Sequence, residues 1–85
     1  MKEFNFVIKD PSGIHARPAG QLVKIASSYP CSIKIKKGDK EADAKRIFAV
    51  MSLAAKQDES IKLVFDGEKE NDAMDEIKEF CENNL

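Results

Sequence analysis

Apolar residues change their spacing several times along this chain of 85 residues, and each change marks a new element. Phe4, Phe6 and Ile8 fall at alternate positions, the repeat of a strand with one buried face. Asp10-Pro11-Ser12-Gly13 then breaks the strand with turn-forming residues. From Ala16 to about Ser27 the period lengthens: Ala19, Leu22, Val23 and Ala26 follow the i, i+3, i+4, i+7 rule and form one stripe of an amphipathic helix. Pro30 stops it, because the residue before a proline is pushed out of helical geometry. Alternation returns in "CSIKIKKGDKEADA", with Ile33 and Ile35 inward and Gly38-Asp39 suited to a two-residue hairpin turn that takes glycine first. The charged positions of that stretch read as the polar face and turn of the hairpin. A short helix is predicted from Ile47 to Ala54, with Val50, Leu53 and Ala54 turned to the sheet. Ile61, Leu63 and Phe65 share one face of a last strand from Ser60 to Phe65, which Asp66-Gly67 closes. The final helix runs from about Glu70 to Asn83 and offers Ala73, Ile77, Phe80 and Cys81 to the core.

The predicted order is therefore β-α-β-β-α-β-α. Strands whose apolar residues lie on one face need a single covering layer, so the fold class is α+β, an open-faced β-sandwich. No repeat, low-complexity stretch or linker interrupts the chain, which predicts one domain over residues 1–85 with a modest core. Hydrophobic residues make up 42% and charged residues 34%, the balance of a soluble globular protein. A net charge of −1 gives no overall attraction to nucleic acid or to an anionic membrane. No apolar run approaches the roughly 20 residues of a membrane span, and the first residues lack the apolar segment of a secretion signal. Cys31 and Cys81 follow no metal or redox spacing and read as two packed thiols in a reducing compartment, so a cytoplasmic location is expected, with no metal and no cofactor.

The chemistry concentrates in "GIHARPAG", residues 13–20, which holds the only histidine. If the helix opens at Ala16, His15 occupies its N-cap, and the first backbone N–H groups have no partner inside the helix. Those of Ala16 and Arg17 then point out beside the imidazole. Pro18 has no N–H, and its fixed φ suits a first turn. Open amides and the positive end of the helix dipole favour an anion, and the Arg17 guanidinium matches phosphate oxygens. An imidazole there is a competent nucleophile, and the same field stabilises a phosphoryl group once attached. Asp10 is the one carboxylate close by in sequence. A histidine in such a loop is more often a solvated surface group, and the residues alone leave both readings open.

The short helix carries a second clue. Phe48 and Met51 lie on a different flank from Val50, Leu53 and Ala54, with Ile47 between them. This arc is wider than the ~100° stripe that one buried face requires. Either the protein packs the whole arc, or part of it stays exposed as a partner site, with Lys24, Lys45, Arg46 and Arg17 as its basic rim.

"GIHARPAG", together with "KRIFAVMSL" in the middle and "DGEKENDA" before the last helix, resembles the HPr family, the histidine-containing phosphocarriers of the bacterial sugar phosphotransferase system. The resemblance implies a four-stranded antiparallel sheet covered on one face by three helices. It implies that His15 accepts a phosphoryl group on Nδ1 from phospho-enzyme I and passes it to the IIA domains of sugar permeases, with Arg17 holding the phosphate. Family members of this kind are carriers without turnover of their own, and their first and short helices contact enzyme I and the IIA domains. In low-GC Gram-positive members a serine phosphorylated by a dedicated kinase stands where this chain has Arg46, which has no hydroxyl to modify. The expected protein is a monomeric phosphocarrier of sugar uptake, not inserted in the membrane and not bound to nucleic acid. The alternatives are a regulatory binding module, or a relay that delivers the phosphoryl group to regulatory proteins outside sugar transport.

Overall fold

The computed structural model describes residues Met1 to Leu85. The elements follow in the expected order: β1 (Lys2–Val7), α1 (Ala16–Ser27), β2 (Ser32–Lys37), β3 (Lys40–Asp43), α2 (Ile47–Ser52), β4 (Ser60–Asp66) and α3 (Glu70–Asn84). The strands form one antiparallel sheet in the order β1-β4-β2-β3, with the three helices as its covering layer. Its register aligns the apolar rows: Phe4 faces Leu63 and Phe6 faces Ile61, while Ile33 faces Phe65 and Ile35 faces Leu63 and Ala42. Ile33, Ile35, Ile61, Leu63 and Phe65 are completely covered, meeting Ala19, Leu22 and Ala26 of α1 and Ala73, Ile77 and Cys81 of α3 in one core.

This core outweighs everything on the opposite face. Burying each large apolar side chain contributes roughly 1.5–3 kcal/mol. The open face carries Lys34 against Glu41 at 3.5 Å and Lys62 against Glu3 at 3.8 Å, and exposed pairs of this kind contribute roughly 0–1 kcal/mol. The hairpin turn also follows the chemistry of its residues. Lys37 pairs with Lys40 across Gly38-Asp39, and Gly38 takes a φ of +57°, which only glycine adopts without strain.

Five boundaries differ from the sequence expectation, two of them by a single strand residue: β1 ends at Val7 instead of Ile8, and β4 continues to Asp66 instead of Phe65. β1 begins at Lys2 instead of Phe4, because the ladder extends to Lys2 opposite Phe65 regardless of side-chain polarity. α3 runs one residue further, to Asn84. α2 ends at Ser52 and not at Ala54. Ala54 has left the helix with φ +51° and is exposed, so it does not face the sheet; Val50 and Leu53 do, and Ala55 takes the next core place. The cause is tertiary: the Lys37 ammonium donates to the carbonyls of Leu53 at 3.1 Å and Ala54 at 3.0 Å, capping the helix end.

Candidate functional site

The stretch between β1 and α1 is built by its turn residues. Pro11 and Ser12 are the central residues of a β-turn closed by the Gly13 N–H donating to the Asp10 carbonyl at 2.9 Å. The Asp10 side chain accepts the Ser12 N–H through Oδ1 at 2.8 Å, an Asx turn that fixes the carboxylate. Its other oxygen, Oδ2, lies 3.7 Å from His15 Nε2. That is beyond hydrogen-bond reach but within electrostatic influence. One feature of the carboxylate's position, its role as the turn's first residue, was readable in sequence; its closeness to the ring was not.

His15 is the N-cap of α1, with extended backbone (φ −95°, ψ −179°) and no side-chain capping bond, so both ring nitrogens stay uncommitted to the helix. Its carbonyl accepts the Ala19 N–H at 3.0 Å. The side chain is 44% exposed. Neither the Ala16 nor the Arg17 N–H donates to any protein group, and the next residue, Pro18, has none to donate. Two open amides therefore stand at the positive end of α1, one and two residues after the ring. Arg17 is exposed and forms no ion pair.

These groups share a cleft of about 230 Å³ lined by Asp10, His15, Arg17, Pro18, Gln21 and Asn84. Every polar lining residue can bond an oxyanion or orient a ring. Gln21 lies one helical turn beyond Arg17, so its place on this wall follows from the period of α1. Asn84 comes from the far end of the chain, held by its own bond from Nδ2 to the Phe80 carbonyl at 3.0 Å. No sequence signal brings Asn84 to His15.

The other candidate residues form a neighbouring surface. Phe48 is 85% exposed and Met51 38%, while Ile47 is half-buried. A Cβ added at Gly20 would lie 3.7 Å from Ile47 Cδ1, an ordinary van der Waals distance, so α2 lies beside the helix that begins at His15 with room for a methyl group between them. The apolar patch is thus continuous with the histidine's helix. The basic residues divide. Lys24 and Arg46 are exposed, and Arg46 makes only a long contact from Nε to Asp43 Oδ2, at 3.9 Å. Lys45 is half-buried and committed, donating from Nζ to the Tyr29 carbonyl at 2.7 Å, so it contributes less free charge to the rim than its sequence position suggests.

Residues 2–83 match the family model described as the PTS HPr component phosphorylation site. A phosphocarrier protein HPr of Lysinibacillus sphaericus is 42% identical over 77 residues, covering 91% of this chain and 88% of the relative. The phosphoryl donor subunit DhaM of a PEP-dependent dihydroxyacetone kinase, from Providencia stuartii, is 32% identical over 94% of this chain, which spans 17% of that longer protein. Among solved structures, HPr-C-His from Thermoanaerobacter tengcongensis superimposes with a TM-score of 0.93 at 36% identity, covering 98% of this chain and 93% of that one. A histidine at an open helix start, on this fold and in this sequence context, has one consistent assignment: the chain belongs to the HPr family, the phosphocarriers of the phosphotransferase system.

Proposed function

We infer that His15 accepts a phosphoryl group from phospho-enzyme I and hands it to the IIA domains of sugar permeases. The observation that carries this reading is the exposed ring beside two unpartnered amides and an unpaired guanidinium. The family resemblance implies Nδ1 as the nitrogen that attacks phosphorus, and Nε2, 3.7 Å from the Asp10 carboxylate, is then the nitrogen that keeps the proton. A bond forms from Nδ1 to phosphorus as the bond from phosphorus to the donor breaks. The phosphorylated ring, still protonated on Nε2, gains a positive charge, and the Asp10 carboxylate offsets it. The oxygens of the phosphoryl group take the Ala16 and Arg17 amides and the Arg17 guanidinium, charge-assisted bonds roughly twice as strong as neutral ones. Transfer to an acceptor reverses these steps, and the chain needs no metal or cofactor for either.

Ile47, Phe48 and Met51, with Lys24, Lys45, Arg46 and Arg17 around them, form the docking face for both partners. A small apolar centre with a basic rim suits fast, weak and salt-sensitive encounters with acidic surfaces, which a relay needs in order to release each partner. Arg46 removes serine-kinase control at that position. The carrier works in the cytoplasm as a monomer and as a single domain. No helix is long and apolar enough to cross a membrane.

A second reading keeps the phosphohistidine but changes its destination. The likeness to the dihydroxyacetone kinase donor subunit supports delivery to an acceptor outside sugar transport. Purified enzyme I, labelled phosphoenolpyruvate and a panel of IIA domains and non-sugar acceptors separate the two. Sugar-specific IIA domains discharging the labelled carrier support the first reading; discharge only by the other acceptors supports the second. No labelling of His15 by enzyme I excludes both.

A further inference from the structure

We propose that Lys37 and Glu59, neither of which touches the cleft, are positioning residues that hold His15 in place through the turn between α2 and β4. This assignment rests on the phosphoryl-acceptor reading of His15. Lys37 continues the inward row of Ile33 and Ile35 at the end of β2, and its side chain is only 21% exposed. An ammonium has three N–H donors, and three acceptors surround this one: the carbonyls of Leu53 and Ala54, and Glu59 Oε1 at 3.1 Å. The same Oε1 accepts the Lys56 N–H at 2.7 Å. One buried-side cation and one carboxylate thus tie both ends of the 53–59 turn together. That turn needs tying, because Ala54 and Asp58 both hold left-handed backbone, with φ of +51° and +70°, which strains the alanine and is better tolerated by the aspartate.

The braced turn in turn grips both ends of the segment that carries the histidine. At the near end, the Ile8 N–H donates to the Glu59 carbonyl at 3.0 Å and the Asp58 N–H to the Ile8 carbonyl at 2.7 Å. Gln57 donates from Nε2 to the Lys9 carbonyl at 3.2 Å. At the far end, the Ile14 N–H donates to the Ala55 carbonyl at 3.0 Å, one residue before His15. Gly13 lies so close to the turn that an added Cβ would come within 2.3 Å of the Ala55 oxygen. A shift of the turn is therefore transmitted to Ile14 and to the ring, and it moves the end of α2 as well, since Lys37 caps that helix. Displacing a reacting group by about 1 Å can slow a reaction on the order of a hundredfold, so a partial loss of the brace is expected to slow phosphoryl acceptance about tenfold.

Lys37→Met, Glu59→Met, the double variant and Lys37→Arg test this with two donors. One is phospho-enzyme I. The other is phosphoramidate, which needs no docking surface: its phosphorus–nitrogen bond breaks, releasing ammonia, as the bond to the imidazole forms. Amide hydrogen exchange is read at Ile14 and, as a control for global unfolding, at Leu63. Expected are rates about tenfold lower with either donor for both single variants, faster exchange at Ile14 with Leu63 unchanged, a double variant no slower than the slower single, and near-complete rescue in Lys37→Arg. If Lys37→Met does not fold, Glu59→Met, which keeps the side chain's length and removes its acceptor, decides alone. Wild-type rates and unchanged Ile14 exchange in Glu59→Met would overturn the proposal while leaving the acceptor role of His15 intact. If the wild-type protein itself takes no phosphoryl group at His15 from either donor, the acceptor reading fails first and this assignment falls with it.

Discussion

Gly13→Ala and Gly38→Ala form a matched pair that isolates one physical effect. Both glycines hold left-handed backbone, with φ of +64° and +57°. Placing a side chain there costs roughly 1–2 kcal/mol in backbone strain at either site. Their surroundings differ: a Cβ at Gly38 meets nothing within 4 Å, whereas at Gly13 it meets the Ala55 oxygen at 2.3 Å and Lys56 Cα at 2.9 Å. Both of those atoms belong to backbone, which cannot rotate away. Forcing such an overlap costs a further ~1–3 kcal/mol through backbone displacement. Gly38→Ala is therefore expected to lose about 1–2 kcal/mol and Gly13→Ala about 2–5 kcal/mol. A domain of this length has on the order of 0.05–0.15 kcal/mol of stability per residue, so the second variant gives up a large share of the total. Urea unfolding measures both. With a slope of about 1 kcal/mol per M, the two midpoints separate by roughly 1–3 M. Equal midpoints would refute the close approach of the histidine's segment to the 53–59 turn.

Ala54→Gly, removing the side chain at φ +51° without losing a core contact, is expected to stabilise the protein by about 1 kcal/mol; the same unfolding assay checks it. Tyr29 donates its hydroxyl to Glu76 Oε1 at 2.5 Å, and this bond, with some burial and the nearby carboxylate charge, pushes its pKa from 10.0 up to about 12. Because the folded pKa is the higher, the bond's contribution is fully present below pH 10 and is lost as pH rises towards 12, so Tyr29→Phe is expected to flatten the fall in melting temperature across that window. Burial pushes the Cys81 thiol up to about 12; a thiol reagent at pH 8 is expected to leave it unmodified in the native protein and to label it in urea, as mass spectrometry of the Cys81 peptide will show.

The fold was legible because its elements announce themselves by local period. Ile61, Leu63 and Phe65 could be placed on one face of β4 without knowing any neighbour, and the stripe of α1 needed only Ala19, Leu22 and Ala26. The open helix start at His15 was equally local, since it depends on Pro18 and on the change of period at Ala16. What escaped was set by contacts between distant segments. The end of α2 lies at Ser52 because Lys37, sixteen and seventeen positions before the carbonyls it caps, turns inward. In sequence that lysine is one of several charges on a hairpin. Lys45 looks like a free cation until Tyr29 supplies a carbonyl for it. Asn84 reaches the cleft only because the last turn of α3 packs beside the start of α1. Periodicity records which face is apolar; it holds no information about which polar groups meet across the fold.

The proposed chemistry depends most on the Ala16 and Arg17 amides receiving the phosphoryl group carried by His15. Its most direct measurement is a ¹H–¹⁵N correlation spectrum of the uniformly labelled protein before and after phosphorylation by enzyme I and phosphoenolpyruvate, with ³¹P detection of the adduct. One acid-labile phosphorus signal, absent in His15→Ala, together with large downfield shifts of the Ala16 and Arg17 amide protons, is the predicted result. An adduct that survives His15→Ala, or one that leaves those two amides unmoved, would contradict it.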